Sequence, residues 1–187
     1  MLHAKLLLIA ALAVMCCFSC STQHFEKIKL TEANEQVNPL SHYLSAPTTV
    51  LLFLSSECPI CQKYTLTLRQ FTEAYPQVPI IGVFTRWDSP GQIRDFASTY
   101  QLPITLVQDR KHRLVKALKP STTPEVFVLD AQRQVRYQGA IDNWFSGLGK
   151  YRPVVTEYYL KDALDALLKG DTVKVKHTHP IGCLIQQ

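Results

Sequence analysis

The feature that most constrains the fold is a regular alternation of apolar runs and helical patterns in the middle of the chain. Three runs of apolar and β-branched residues predict strands buried on both faces: "TTVLLFLSS" (48–56), "VPIIGVFT" (78–85) and "ITLVQD" (104–109). Helical patterns follow them, starting at Pro59, at a cap formed by Asp88 or Ser89, and in "KHRLVKAL". Because strand–helix–strand units make consecutive strands parallel, the sequence predicts an α/β fold with helices on both faces of a central sheet.

The following part of the chain completes this sheet differently. "PEVFVLD" and "QVRYQGAI" predict an antiparallel hairpin joined by the "AQRQ" turn, so the sheet is expected to be mixed. "VTEYYLKDALDALLKG" (155–170) predicts the clearest amphipathic helix. We therefore place the domain at residues 48–169, after a tether and short N-terminal element at 21–47 and before a tail at 170–187. Such sheets bind ligands at the carboxyl ends of their parallel strands, and we expect the site there.

The N-terminus has the pattern of an export signal. Lys5 precedes an apolar run that ends at Phe18, shorter than the about 20 residues needed to span a membrane. Cys20 follows the small residue Ser19, which resembles the lipobox of bacterial lipoproteins, although Phe18 departs from the usual pattern. We predict that residues 1–20 form a signal peptide and that lipid on Cys20 anchors the protein to the membrane, facing the periplasm. Plain secretion and an uncleaved anchor are the alternatives.

Export would place the remaining cysteines in an oxidising compartment, where disulfides form and persist. Three cysteines follow the predicted signal: Cys58, Cys61 and Cys183. An odd number does not favour a static disulfide scaffold. Cys58 and Cys61 lie where a strand gives way to a helix, and a metal site, a structural disulfide and a redox pair all suit that spacing. A disulfide closing so short a loop would add little stability, which favours the redox pair.

Three segments carry a resemblance to a known family: "SSECPICQKY", "STTPEVFVLD" and "YQGAID". Together they resemble the thioredoxin superfamily, in particular its redoxin-domain branch of exported thiol-disulfide oxidoreductases with a CPxC site and a "GC" near the C-terminus. The resemblance implies a thioredoxin-like three-layer fold and no cofactor. It also implies exchange with cysteines of cell-envelope proteins and with a membrane electron donor. Glu57 replaces the family's usual tryptophan, and Pro59-Ile60 replaces Gly-Pro, which affects redox potential and partner choice.

The family pattern assigns a role to each residue of the site. Cys58 is expected to be an exposed thiolate and the nucleophile, since the positive end of a helix favours the anion. Cys61, one turn later, is expected to be the resolving thiol. Thr123-Pro124 resembles the cis-proline loop, whose backbone is expected to pair with an extended partner strand. The family brings the chain close to this loop at Gly139, for which an ordinary strand-end glycine is the alternative.

Accessory positions are less constrained by the sequence. The carboxylate of Glu57 either opposes ionisation of Cys58, with Lys63 partly offsetting it, or faces solvent. Trp144, with Phe145 and Tyr151, either rims a hydrophobic partner groove or packs into the core.

The tail segment "HTHPIGC" allows three interpretations. His177, His179 and Cys183 form a copper or zinc site, or they belong to a solvated tail, or Cys183 folds back as an accessory thiol and forms a disulfide with the active site.

The leading hypothesis is an exported thiol-disulfide oxidoreductase that works as a monomer. A copper chaperone of the same fold is an alternative, although that class usually has CxxxC spacing with a histidine from a late loop. A peroxiredoxin-like peroxidase is another, but Leu51 stands where that family has proline, and Ser55 where it has threonine. Nucleic-acid binding is not expected, because the net charge of +5 is mild and the basic residues are scattered.

Overall fold

A computed structural model of the chain describes residues 25–186. The predicted signal peptide and the predicted lipidation site, Cys20, lie outside the described residues. Among residues 25–186, no helix combines the length and apolar character that a bilayer crossing demands.

Strands and helices alternate along the described residues much as the sequence predicts. The strands are β1 (Lys29–Glu32), β2 (Val37–Pro39), β3 (Thr49–Leu54), β4 (Ile80–Thr85), β5 (Thr105–Asp109), β6 (Thr122–Thr123), β7 (Glu125–Leu129), β8 (Val135–Gly139), β9 (Phe145–Gly147), β10 (Lys150–Tyr151) and β11 (Cys183–Leu184). The α-helices are α1 (Pro59–Ala74), α2 (Pro90–Tyr100), α3 (Arg113–Leu118) and α4 (Tyr159–Leu168), and a short 3₁₀ helix spans Leu40–Tyr43.

The central sheet is mixed, as predicted. Over residues 25–186 it has seven strands in the order β2-β1-β5-β4-β3-β7-β8. Strands β3, β4 and β5 are parallel, while β7 runs antiparallel to β3 and β8 antiparallel to β7. The α/β fold class is therefore confirmed, and the carboxyl ends of β3 and β4 lie side by side.

Helices cover both faces of the sheet because the central strands are apolar on both sides. Along β3, Val50, Leu52 and Leu54 pack in one cluster with side chains from α1, α2 and α4. Leu51 and Phe53 point the opposite way and pack with side chains from α3 and the 3₁₀ helix. This alternation follows from the two-residue period of a strand and produces the three layers.

Both ends of the described chain pair with strands of the domain, which the sequence did not specify, although β11 and β6 form a two-stranded sheet apart from the central one. The N-terminal element is a hairpin in which β1 pairs with β2 and with β5. The tail returns along β8, where His177 bridges to Gln138, and it ends in β11, which pairs with β6. These short pairings have no periodic pattern of their own, so the sequence indicated only a tether and a tail.

The final helix begins at Tyr159, later than the predicted start near residue 155. The amide oxygen of Asn143 accepts hydrogen bonds from the backbone N–H groups of Thr156 (3.0 Å) and Glu157 (3.2 Å). Those contacts hold this segment against the preceding loop, so it does not enter the helix.

Replacement of Asp109 tests one anchor of this fold. Its buried carboxylate accepts the N–H groups of Arg113, Leu114 and Val115 at the start of α3. Asp109→Ala leaves these donors without that acceptor, and we expect the free energy of unfolding to fall by about 2 kcal/mol. Asp95→Ala, on the exposed side of α2, is the control and should change it by less than about 0.5 kcal/mol in urea denaturation. Equal midpoints for the two variants would contradict the prediction.

Candidate active site

Cys58 lies between the carboxyl end of β3 and the start of α1. It is the N-cap residue of α1, and Pro59 occupies the first turn, where its missing N–H is tolerated. Its thiol donates a hydrogen bond to the backbone carbonyl oxygen of Thr123 at 3.1 Å. The side chain is only 1% exposed, whereas the sequence had suggested an accessible sulfur. Access to Cys58 is therefore controlled by the segments around it.

The antiparallel pairing of β3 and β7 brings the Thr123-Pro124 loop to Cys58. Phe53 near the end of β3 is paired with Glu125 at the start of β7, so the residues just before β7 lie beside the residues just after β3. The Thr123–Pro124 peptide bond is cis, as predicted. Its proposed role in binding a partner strand stays a prediction.

Glu125 fixes this loop, and sequence reasoning missed it. The buried carboxylate accepts hydrogen bonds from the backbone N–H and hydroxyl of Ser121, at 2.6 and 2.9 Å, and from the N–H of Thr122 at 3.3 Å. Its other oxygen accepts from the amide of Gln138 at 2.9 Å. An acidic residue at the start of an otherwise apolar strand was the available signal, since a buried carboxylate requires such partners.

The surroundings of Cys58 favour its anion. A hydrogen bond from the Cys61 side chain is the largest influence and lowers the pKa of Cys58 to about 4. Burial opposes this effect, while hydrogen bonds from Cys183, from the backbone of Cys61 and from Thr123 add to it. The bond from the Cys58 thiol to the Thr123 carbonyl belongs to the protonated state and is lost on ionisation.

The two neighbouring thiols are shifted in the opposite direction. Burial is the largest cause that raises the pKa of Cys61 well above its usual range, and contact with Cys58 adds to it. Burial, followed by the hydrogen bond and charge of Cys58, raises the pKa of Cys183 to about 12. All three cysteines are free thiols in this structure. One site therefore contains an anion-stabilised sulfur with two protonated donors beside it.

Asp88 supports the loop that precedes Cys58, and the sequence suggested for it only a helix cap. That cap is Ser89, which forms a capping box with Gln92. One carboxylate oxygen of Asp88 accepts the N–H and the hydroxyl of Ser56, both at 2.7 Å. Burial raises the pKa of Asp88. An acidic residue just after β4, at the same sheet edge as Cys58, was the signal that could have identified it.

Glu57 faces solvent, which was one of the two alternatives. Its side chain is exposed and accepts a hydrogen bond from the amide of Gln92 at 3.2 Å. The ammonium of Lys63 lies 5.7 Å from the centre of the Tyr151 ring.

Position 139 must be glycine because the tail packs against it, and not only because it ends a strand. Its φ is 141°, a conformation that residues with a side chain rarely adopt. An added Cβ would lie 2.3 Å from the Thr178 hydroxyl and 2.4 Å from the Thr178 carbonyl oxygen. The same hydroxyl accepts the N–H of Ala140 at 2.9 Å. The segment held against Gly139 therefore leads directly to Cys183.

Trp144 and Phe145, in the segment 142–155 between β8 and α4, pack on α1. The rings of Trp144 and Phe145 lie 5.4 and 5.5 Å from the ring of Tyr64. Phe145 lines a cleft of about 350 Å³ beside Pro124, together with the polar residues Asp142, Asn143, Ser146, Arg152, Glu157, Thr178 and His179. This cleft is more polar than the predicted hydrophobic groove, and the accessory role of Trp144 stays a prediction.

The three tail residues of the metal hypothesis are separated in the structure. His177 and His179 are exposed, while Cys183 lies against the Thr123 loop. Within residues 25–186, no group of three or more His, Cys, Asp or Glu side chains is arranged to hold a metal ion. The structure thus brings Cys183 back to the site, and its predicted disulfide stays a prediction.

Comparison with known proteins agrees with this architecture. The AhpC/TSA family profile matches residues 18–138, more than half of the chain. A search of curated protein sequences returned no match.

Solved structures include several similar folds. An uncharacterised conserved protein from Geobacillus kaustophilus is 25% identical, with a TM-score of 0.76 over 86% of this chain and 88% of that one. A secreted Mycobacterium tuberculosis disulfide oxidoreductase homologous to E. coli DsbE is 21% identical, with a TM-score of 0.54 over 60% and 83%. The Xanthomonas campestris bacterioferritin comigratory protein, described with alkyl peroxide reduction activity, is 17% identical, with a TM-score of 0.53 over 61% and 80%. The fold is thioredoxin-like.

Titration of the reduced protein tests the electrostatics of the site. A lowered pKa means a stabilised anion, so thiolate absorbance in the ultraviolet should appear near pH 4 and not near the ordinary value of 9.0. The absorbance step should be missing in Cys58→Ser. In Cys61→Ala the midpoint should move up towards 9.0, because the strongest donor is gone, and Cys183→Ala should move it less. A wild-type midpoint close to 9.0 would refute this account.

Proposed function

The chain belongs to the AhpC/TSA family of redoxins, and on that basis we propose that it is a thiol-disulfide oxidoreductase acting on the cysteines of other proteins. We further propose that it is exported, anchored through lipid on Cys20, and active in the bacterial cell envelope. The observation that carries the proposal is the position of Cys58. This sulfur has a lowered pKa, lies at the N-terminus of a helix and contacts the backbone of the residue before a cis-proline.

The proposed cycle begins with attack by the Cys58 thiolate on a partner's disulfide. A Cys58–partner bond forms, the partner's S–S bond breaks, and one partner thiolate leaves. Cys61 then loses its proton, attacks the Cys58 sulfur and releases the second partner thiol. The result is a Cys58–Cys61 disulfide and a partner reduced by two electrons. The reverse sequence oxidises a partner dithiol, and a membrane dithiol donor is proposed to restore the reduced state.

The environment of Cys61 supports this order of events. Two of the influences that raise its pKa are the hydrogen bond and the charge of Cys58. Once Cys58 is bonded to a partner its negative charge is gone, so both influences are removed. Cys61 therefore becomes easier to deprotonate at the step that requires it to act as a nucleophile.

Hydroperoxide reduction is a second candidate, favoured by the family match. It would use the same Cys58 thiolate, with a hydroperoxide as the oxidant. Leu51, at the position where the peroxiredoxin motif has proline, weighs against it.

Loss of the nucleophile gives the most direct test. Cys58→Ser should lower the rate of insulin disulfide reduction by about a thousandfold or more, because a serine hydroxyl cannot form the mixed disulfide. Ser98→Ala, exposed on α2, is the control and should retain the wild-type rate. Unchanged turnover in Cys58→Ser would refute the assignment. Consumption of hydroperoxide without insulin reduction would favour the peroxidase.

Removal of the other two thiols should trap partners. Cys61→Ser combined with Cys183→Ser leaves Cys58 as the single cysteine of the described residues. We expect mixed disulfides with envelope proteins to accumulate, since neither neighbouring thiol can release them, and non-reducing electrophoresis after alkylation should reveal them. The same variant with Cys58→Ser added is the control. If the two variants gave the same pattern, protein disulfides would not be the substrate.

A further inference from the structure

The tail occupies the place at which the site would pair with a partner strand. Strand β11 is antiparallel to β6, and Cys183 is directly opposite Thr123, the residue before the cis-proline. Ile185 continues the contact by donating its N–H to the carbonyl of Ser121 at 3.1 Å. The backbone beside Cys58 is therefore already paired with a cysteine-bearing strand of the same chain.

This pairing depends on a close approach that only glycine permits. A Cβ on Gly182 would lie 2.0 Å from the Thr123 carbonyl oxygen and 2.7 Å from its carbonyl carbon. The same carbonyl oxygen accepts the hydrogen bond from the Cys58 thiol. One backbone group thus contacts both the nucleophile and the residue before Cys183, and the Cys183 side chain lies within hydrogen-bonding reach of Cys58.

The three thiols differ in how easily an outside molecule reaches them. Cys58 is 1% exposed and Cys61 is fully buried. Cys183 is partly exposed, and its neighbour Leu184 is 84% exposed. A large redox partner can therefore approach Cys183 at the surface more readily than the Cys58–Cys61 pair beneath it.

We propose that Cys183 is a third redox-active thiol, which forms a disulfide with Cys58 and gives an external protein dithiol access to the site. This inference rests on the proposed role of Cys58 as nucleophile and adds a route by which the oxidised site is reduced. Strand β11 presents Cys183 to Cys58 as a partner protein would present its own cysteine.

The exchange needs no added oxidant. In the Cys58–Cys61 disulfide, Cys183 loses its proton and attacks the Cys58 sulfur, so a Cys58–Cys183 bond forms. The Cys58–Cys61 bond breaks, and Cys61 leaves and takes up a proton. No electrons enter or leave, because one disulfide replaces another.

Reduction from outside then proceeds through the tail. A thiolate of the external dithiol attacks the Cys183 sulfur, and Cys58 leaves as a thiolate. Thiols with a low pKa leave faster, and Cys58 has the lowest pKa of the three. The donor's second thiol then attacks the donor sulfur that is bonded to Cys183, and Cys183 leaves as a thiolate. The donor is left as a disulfide, and the site is reduced by two electrons.

Disulfide mapping tests the bond. We would treat Cys61→Ser with oxidised glutathione and identify cross-linked peptides by mass spectrometry of a non-reduced digest. The expected product is an intramolecular Cys58–Cys183 disulfide, whereas Cys61→Ser/Cys183→Ser should stop at a glutathione adduct on Cys58. If Cys61→Ser also stops at the adduct, the proposed role of Cys183 fails, while the proposed role of Cys58 as nucleophile stands. If Cys58 takes up no glutathione in either variant, the proposed nucleophile fails as well.

Two further measurements do not depend on whether Cys61→Ser folds. One uses the wild-type chain, and the other uses a glycine variant. In oxidised wild-type protein both the Cys58–Cys61 and the Cys58–Cys183 linkages should be found, and exclusive Cys58–Cys61 linkage would overturn the inference. Gly182→Ala should lower the Cys58–Cys183 fraction by about tenfold, because it displaces the strand that concentrates Cys183 at the site. Gly91→Ala, whose Cβ meets nothing closer than 3.8 Å, is the matched control and should leave the fraction unchanged.

The route of reduction is measured with reduced thioredoxin as the probe dithiol. Oxidised wild-type protein should be reduced about tenfold faster than oxidised Cys183→Ser, because the latter offers only the buried pair. Small dithiothreitol should distinguish the two proteins less. Equal rates with thioredoxin would overturn the role of Cys183 in reduction.

Discussion

The close approach of the Thr123 peptide group to Cys58 is the constraint on which the rest of the site depends. It exists because β7 is antiparallel to β3, so the loop before β7 meets the helix that begins after β3. The carboxylate of Glu125 then holds the loop by binding its N–H groups. The same carbonyl faces Gly182 at a distance that leaves no room for a side chain. A single peptide group therefore organises Cys58, the cis-proline loop and the tail.

The chemistry of the site follows from three thiols that share one environment without being equivalent. Charge is concentrated on Cys58, because Cys61 and Cys183 donate hydrogen bonds to it. Burial is the largest influence that keeps the two donors protonated. Covalent bonding of Cys58 removes its charge, and with it two of the causes that raise the pKa of Cys61 and Cys183. The charge on Cys58 thus influences how easily Cys61 and Cys183 lose their protons.

Burial of Cys58 bears on the role that we propose for the tail. A protein disulfide cannot reach a sulfur that is 1% exposed unless the segments above it move or carry the exchange themselves. The loop just before Cys58 is anchored, because the carboxylate of Asp88 accepts two hydrogen bonds from Ser56. The tail is a short strand at the surface, and short strands at sheet edges can be replaced by other strands. Strand β11 is therefore the segment through which we propose that a partner reaches the site.

The sequence by itself determined the layers of the fold and the Cys58–Cys61 pair, because both arise from local patterns. Strand and helix periods follow from which residues are apolar, and Pro59 and the spacing of the two cysteines fix them at the start of one helix. Only the tertiary structure decided the positions of Glu125, Asp88 and Cys183. Asp88 and Cys183 act through contacts between segments far apart in the chain, and the carboxylate of Glu125 joins the nearby loop to Gln138 of β8. Such contacts leave no periodic signal, and they form only once the sheet has brought the segments together.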